Sequence, residues 1–561
     1  MLSFHSYCQS TALLIQNIQY VDVEQGSLKK GDIRIQNHRI QEISSTTLQA
    51  SEEMVIDGTG KWLIPGLVDA HIHLFQSGGI YTRPDVIDLR AIRPYEQERL
   101  WLKKEAAHLL KRYLRCGITT VIDVGGPMYN YTLRDSFQTQ EDFPNLWLTG
   151  PLVSTYQPKA FDIEDSPIIK VNTAEEAVAL VQQQLPYQPD FIKIWYITRA
   201  SQPAESTYAI VEATIQESHK HKLKVAVHAT QLNTAKLAIK AGADILVHSI
   251  DDPIDEEFIH LLSSKKVIYI PTMVVSGNYV ETFCQEPELT AADFAFADPF
   301  TLGSLFDSRH LPAGNVFQRS APFLPQLKKN QQLQDSIRQA NLRRLKDEAI
   351  IISTGTDAGN IGTLHASSYF EEIAAMQEAG MSHAQILKAS TINGARVLGK
   401  EQEMGSIAEG KLADLLLLNA NPLTDIHAIQ DIAYVIKGGK LLAVDSILQD
   451  TPESLVQQQL NGYNARDIEA FLAPYAEDVE IYNFPDHPSG KGKANIRPRY
   501  EGMFAQLPEL HCELVNRIVL GNTVIDQEKV TGFPNGRILE AIAIYKIRNN
   551  KIAQVYFIQK E

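Results

Sequence analysis

"GLVDAHIHLF", residues 66–75, sets two histidines one residue apart inside a run of strand-forming apolar residues. Side chains of a strand alternate between its faces, so His71 and His73 share one face while Ile72 takes the other. Two adjacent imidazoles fill a core badly and begin a metal site well. The pair alone leaves ligand and incidental histidine both open, and the rest of the chain decides.

Working outward, residues 12 to about 64 alternate short apolar runs with turns, as in "ALLIQNIQYVD", "GDIRIQNHRIQEIS" and "MVIDGTGKWLIPG", which is period-two β-structure. From about 65 to 400 the text changes. Eight short strand-like runs ("LVDAHIHLF", "ITTVIDVGG", "LWLTGP", "FIKIWY", "KVAVHAT", "ILVHSI", "VIYIPTM", "IISTGTDAG") alternate with stretches of helical spacing such as "AEEAVALVQQQL". Alternating βα units on this scale predict an α/β fold, a parallel (β/α)8 TIM barrel. A doubly wound open sheet is the alternative, weakened because no GxGxxG turn follows the first strand. β-type text returns at about 401–446 ("GSIAEGKLADLLLLN", "IAYVIKGGKLLAV") and is expected to complete a sheet begun by 12–64. From about 452 to 561 an amphipathic helix and several strands predict a separate α+β unit with its own core.

A chain of 561 residues exceeds one compact core, which agrees with this division. The 52 basic and 67 acidic residues leave a net charge of −15, which argues against a nucleic-acid partner. Cys8, Cys116, Cys284 and Cys512 are scattered without paired spacing, so neither a disulfide framework nor a zinc–thiolate site is expected. No apolar run is long enough to span a membrane. The start, "MLSFHSYCQSTALLIQNIQY", lacks a basic segment followed by a long apolar core, so the cytoplasm is the default compartment. A leader already removed from a longer precursor would leave no trace.

Polar residues gather near the C-terminal ends of the predicted barrel strands, where such barrels keep their active sites. These are His71 and His73 on the first strand, Lys193 in "FIKIW", His228 in "VAVHA", His248 in "ILVHS" and Asp357 in "STGTD". Singly, each has a bland role: a satisfied polar histidine, a paired lysine, an Asp capping a turn. Together, on five strands at one end, they make a nitrogen and carboxylate donor set for zinc or a similar divalent ion.

"PGLVDAHIHL", the lysine in "FIKIW", "VHAT", "VHS", "GTDAG", "KASTINGARVLG" and "GSIAEGKLADLLLL" occur in the order of the metal-dependent amidohydrolase superfamily, which residues 12–446 resemble. The resemblance implies a TIM barrel beside a small β-sandwich built from both flanks. It implies that Lys193 is carboxylated and bridges two metals, expected to be zinc, with His71, His73 and Asp357 on one and His228 and His248 on the other. A metal-activated hydroxide would then attack a carbonyl, with Asp357 as general base and afterwards acid. Substrate contacts are the weakest reading: Tyr196, Thr198 and Arg199 follow the lysine strand, and His365 follows the last. The long segment 274–345 reads as a lid, and Phe294, Phe296, Phe300 and Phe306 in it suit an apolar substrate or pack the segment down.

"YNARDIEAFLAPYAEDVEIYNFP", "GKANIRPRYEGMF" and "AIAIYKIRNNKIAQVYFI" resemble the NTF2-like (SnoaL-like) cone-shaped α+β family. That resemblance allows an isomerase, a ligand pocket or a homodimer contact, and fold does not choose among them. His487, Asp526 and Glu528 are candidate pocket groups there, with loop and strand-surface roles favoured. The expected activity is hydrolysis of an amide or dipeptide-like C–N bond in a small substrate, of prolidase kind. The rival enzyme is a mononuclear hydrolase of a cyclic amide, of imidazolonepropionase kind. A non-catalytic barrel scaffold assembling through the C-terminal unit is the rival from another class.

Overall fold

In the computed structural model, which describes residues 12–559, strands from both flanks share one eight-stranded sheet. Trp62–Pro65 is its junction, parallel to Leu13–Asp22 on one side and antiparallel to Leu415–Leu418 on the other. The run "LLLL" at 415–418 shows why it sits there. Leu415 and Leu417 join the sheet's own core, while Leu416 and Leu418 point the opposite way into the main core. A strand buried on both faces needs apolar residues at every position.

The middle of the chain supplies parallel strands in two arcs. Leu67–Ile72, Ile118–Asp123 and Asn145–Leu148 form the first. The second runs Ile168–Lys170, Leu152–Ser154, Ile192–Trp195, Val225–His228, Ile245–Val247, Ile268–Ile270, Ile351–Ile352. The arrangement is TIM-barrel-like, but the ladders of the described residues do not form one closed ring. Gly150–Pro151 interrupts the expected strand "LWLTGP", because proline has no N–H to give a ladder. Across the other seam the Ala70 N–H donates to Thr354 O (3.0 Å) and the Asp357 N–H to His71 O (2.7 Å).

Helices cover the outside of the arcs. Ala174–Gln184 is representative: the Thr173 hydroxyl accepts from the Glu176 N–H to start it, and Ala177, Leu180 and Val181 form its buried stripe. Segment 274–345 folds into helices rather than open loop, including Val275–Cys284, Pro299–Asp307 and Leu324–Leu345. Its phenylalanines pack it down: Phe296 lies against Phe370, and Phe294 and Phe306 join a cluster with Leu302, Leu305 and Ile80. None of the four phenylalanines lines the cavity described below, so they do not supply an apolar substrate surface there, whereas Val275, Ser276, Tyr279 and Arg338 of the same segment do line it.

The C-terminal unit has its own core and a six-stranded sheet under the helix Pro452–Ala465. That helix docks on Pro299–Asp307. The Asn461 Nδ2 donates to Pro299 O at 2.7 Å, and a Cβ at Gly303 would stand 2.7 Å from Gln457 Nε2. His310 and His511 stack across the same junction at 3.5 Å. Within the unit His487 is exposed, as a strand-surface residue should be, and Asp526 is buried in an ion pair with Arg517. Asp526 and Glu528 both depart from the surface role expected of them and are buried. Cys116, Cys284 and Cys512 are free thiols, and Cys8 lies outside the described residues. Among the described residues no helix is long and apolar enough to cross a membrane.

Candidate active site

The strand ends bring His71, His73, His248 and Asp357 together. His71 Nε2 and His73 Nε2 lie 3.3 and 3.2 Å from the same oxygen, Asp357 Oδ1. His248 Nδ1 lies 3.7 Å from Asp357 Oδ2, and the His228 ring is 4.2 Å from that of His248. Lys193, fully buried on its strand, lines the same cavity.

Local backbone explains the aim of these groups. His248, Thr272 and Asp357 hold φ values of +81°, +45° and +60°, a left-handed region that non-glycine residues adopt at a cost of about 1–3 kcal/mol each. Such bends at strand ends turn side chains inward. Gly355 lets the last strand pass close by, because a Cβ there would meet Ile270 Cγ2 at 2.6 Å and His71 Cβ at 2.8 Å. Asp69, two residues before His71, is buried and ties the first strand to the last. It accepts from the Thr356 hydroxyl (2.8 Å), the Thr356 N–H (3.1 Å) and the His71 N–H (3.3 Å). Its period-two relation to His71 and His73 was the signal for it in the sequence. His73 is oriented by its Nδ1, which donates to Gly125 O at 2.8 Å and turns Nε2 toward Asp357.

Burial governs the charges. It pushes His71, His228 and His248 well below the usual histidine range, with nearby Lys193 and neighbouring imidazoles adding to the effect. Burial also pushes Lys193 down to about 7, opposed by the carboxylate of Asp357. The imidazoles are therefore neutral, the form that binds metal.

Whether these residues fit a metal can be read from polar atoms left without partners. Both ring nitrogens of His71, Lys193 Nζ and Asp357 Oδ1 are buried and make no hydrogen bond. An unmet buried polar atom costs about 1–3 kcal/mol, so unmet atoms on three neighbouring groups, with one nitrogen of His71 able to face an ion, favour a bound metal. Donor atoms of His71, His248 and Asp357 also lie within 4.8 Å of one another. The residues fit.

The cavity above this cluster holds about 330 Å³. Its walls include Phe75, Trp195, Arg83, Tyr279, Arg338 and Asn360, which the sequence reading did not name. Arg83 is clamped by Asp85 (2.8 and 2.7 Å) and donates to Asn360 Oδ1 (2.6 Å) and the Tyr279 hydroxyl (3.1 Å). Tyr196, Arg199 and His365 lie outside the cavity lining. The Tyr196 hydroxyl donates to Ala204 O (2.5 Å), and exposed Arg199 lies 3.4 Å over the Tyr156 ring. Thr198 donates to Gln231 at 2.8 Å. His365 Nε2 sits 2.7 Å from Gln76 O, a carbonyl that only accepts, so Nε2 carries the proton and Nδ1 accepts from the Tyr113 hydroxyl. Its position supports the backbone of Gln76, a wall residue, rather than contact with substrate.

The model of the amidohydrolase family matches residues 62–442, and that of the SnoaL-like domain matches 456–555. The chain is 24% identical over 436 residues to an imidazolonepropionase of Shouchella clausii (strain KSM-K16), covering 71% of this chain and 80% of that one. Among solved structures, a Xaa-Pro dipeptidase with bound methionine in its active site superposes with a TM-score of 0.59 at 24% identity. That match covers 77% of this chain and 100% of the dipeptidase. A putative prolidase from Bifidobacterium longum superposes at 0.58 with 24% identity, over 80% of this chain and 98% of its own.

Proposed function

The chain belongs to the amidohydrolase family and is a metal-dependent hydrolase of C–N bonds, and from that premise we propose that it cleaves an amide or dipeptide-like bond in a small substrate at two zinc ions. His71, His73 and Asp357 would hold one ion and His228 and His248 the other, with a carboxylated Lys193 between them. The observation that carries this reading is the set of unpartnered buried atoms on His71, Lys193 and Asp357. When bound, the metal lowers the pKa of a coordinated water from about 15.7 toward about 7 and polarises the carbonyl.

The chain's own groups do the rest. Asp357 reaches the cavity beside the imidazoles of His71 and His73 and is the group placed to take a proton from water and return it to the leaving nitrogen. Phe75, Trp195 and Tyr279 line the cavity and offer the substrate an aromatic surface. Lys193, pushed down to about 7 by burial, keeps a share of neutral amine, the form that adds carbon dioxide to give a carbamate and a proton. The two arcs of strands are read here as one (β/α)8 barrel, and the flanking sheet as the sandwich beside it.

One observation favours the mononuclear reading: the tightest donor group is His71, His248 and Asp357 alone. Metal analysis of purified protein separates the two, with about two ions per chain expected and one assigning the cyclic-amide reading. A hydrolysis screen over dipeptides, N-acyl amino acids and cyclic amides tests the substrate class. Lys193→Ala is expected to lose one of the two ions and at least ~10²-fold in kcat, with partial rescue by short carboxylic acids. Full metal content and near-normal turnover in that variant would remove the carbamate bridge.

A further inference from the structure

The cavity above the proposed metal cluster carries two arginines, Arg83 and Arg338, and a substrate carboxylate would call for one of them. Both are already engaged. Arg83 gives its Nε and Nη2 to the two oxygens of Asp85 at 2.8 and 2.7 Å. Its Nη1 donates to Asn360 Oδ1 at 2.6 Å and to the Tyr279 hydroxyl at 3.1 Å. Arg338 gives its Nε and Nη2 to Asp251 Oδ1 at 3.0 and 2.7 Å. Its Nη1 donates to the Ser276 hydroxyl and, at 3.4 Å, to Asp335 Oδ1. A guanidinium has five N–H groups, so each arginine keeps one. Paired recognition of a carboxylate needs two parallel N–H groups, which neither arginine has left.

The neutral polar groups beside Arg83 are also turned on one another. The Tyr279 hydroxyl donates to Asn360 Oδ1 at 2.6 Å, and Asn360 Nδ2 donates to Asp357 O at 3.1 Å. A substrate ammonium fares no better. Among the described residues that line the cavity, Asp357 is the one acid, and it belongs to the proposed metal cluster, as does Lys193. Much of the remaining wall is apolar: Phe75, Val86, Leu152, Ile168, Trp195 and Val275. An ion seated against those side chains would shed water without gaining a partner.

We propose that this cavity selects amides uncharged on both sides of the scissile bond, so that neither a free dipeptide nor an N-acyl amino acid is its proper substrate. The proposal rests on the C–N hydrolase reading above and narrows its substrate class. The apolar body of the substrate lies on the aromatic and aliphatic wall. Asp85 and Asp251 set the preference without touching substrate, because each holds the paired donors of an arginine.

The test compares kcat/KM of the full-length, metal-loaded protein on matched amides that share one scissile bond. Acetanilide is the neutral probe, 4-acetamidobenzoate its anionic counterpart and 4-(aminomethyl)acetanilide its cationic one. A second set sets alanyl-leucine against its end-capped form, N-acetyl-alanyl-leucinamide, with cleavage of the central peptide bond followed by chromatography. The neutral member of whichever set is turned over is expected to lead by at least ~10-fold. Asp85→Asn and Asp251→Asn each release a guanidinium edge. Either is expected to raise the ratio of 4-acetamidobenzoate to acetanilide turnover by at least ~10-fold. Because the readout is a ratio within one preparation, a partial folding defect cancels. The proposal is overturned if wild type cleaves a charged member as well as the neutral one, or if both variants leave the ratio unchanged. If no amide of any charge is cleaved, the C–N hydrolase reading itself fails and the proposal falls with it, an outcome distinct from a preference for charged amides.

Discussion

Asp357→Asn is expected to lower kcat by at least ~10²-fold while most of the metal stays bound. The carboxylate stands 3.2–3.3 Å from two imidazole nitrogens through one oxygen and leaves the other beside His248. Asparagine keeps the shape and one oxygen donor, so the cluster retains its other ligands and loses only part of its hold on the ion. It cannot take up a proton, and a positioned acid–base group typically contributes 10²–10⁴-fold. The left-handed backbone at 357 tolerates asparagine better than most residues, which keeps a folding defect from imitating the kinetic one. Steady-state kinetics on the substrate found by the screen, with metal content measured on the same preparation, provide the check. A variant within ~10-fold of wild type at full metal content would falsify the proton-shuttle role.

How much of this site was legible beforehand follows from what each residue's position encodes. Strand-end residues repeat a local pattern, a polar group closing an apolar run, so His71, His73, Lys193, His228, His248 and Asp357 could be read from text alone. Five of the six line one cavity, and His71 is buried next to it, 3.3 Å from Asp357. Arg83 and Asn360 lie on irregular segments and Tyr279 on the helix Val275–Cys284, and only the packing of these distant pieces brings them together. The sequence distance between Arg83 and Asn360 carries no signal in one chain. Tyr196, Arg199 and His365 were chosen for nearness in sequence to strand ends, and their side chains turn to other partners. The third strand of the barrel misled for a local reason. "LWLTGP" reads as one strand, and the glycine–proline pair within it splits the hydrogen-bonded ladder. In the C-terminal unit the alternation around Glu528 was readable, but which face was inside depended on the helix that covers the sheet.

A chain ending at Asp450 is expected to fold and keep its metal yet lose about 10²-fold in kcat/KM. The proposed ligands span His71 to Asp357, and the core around them is distinct from that of the C-terminal unit, so neither folding nor metal binding of the remainder needs the missing residues. Geometry at the cavity wall does. The helix Pro452–Ala465 presses on Pro299–Asp307, where Gln457 and Asn461 meet Gly303. Leu302 and Leu305 of that second helix share a cluster with Ile80, Ile87, Ile361 and Leu364, and Ser304 accepts a hydrogen bond from the Ile80 N–H. The stretches ending in those residues carry Arg83 and Asn360 of the wall. Removing the outer helix leaves Pro299–Asp307 with one face to solvent and frees this wall to shift. A displacement of about 1 Å at a positioning group can cost ~10²-fold. Metal content, circular dichroism and kinetics of residues 1–450 beside the full chain measure the effect. Unchanged kcat/KM in a metal-loaded truncation would mean that the wall holds without the brace. Loss of metal would mean instead that the two cores are coupled more deeply than their separate clusters indicate.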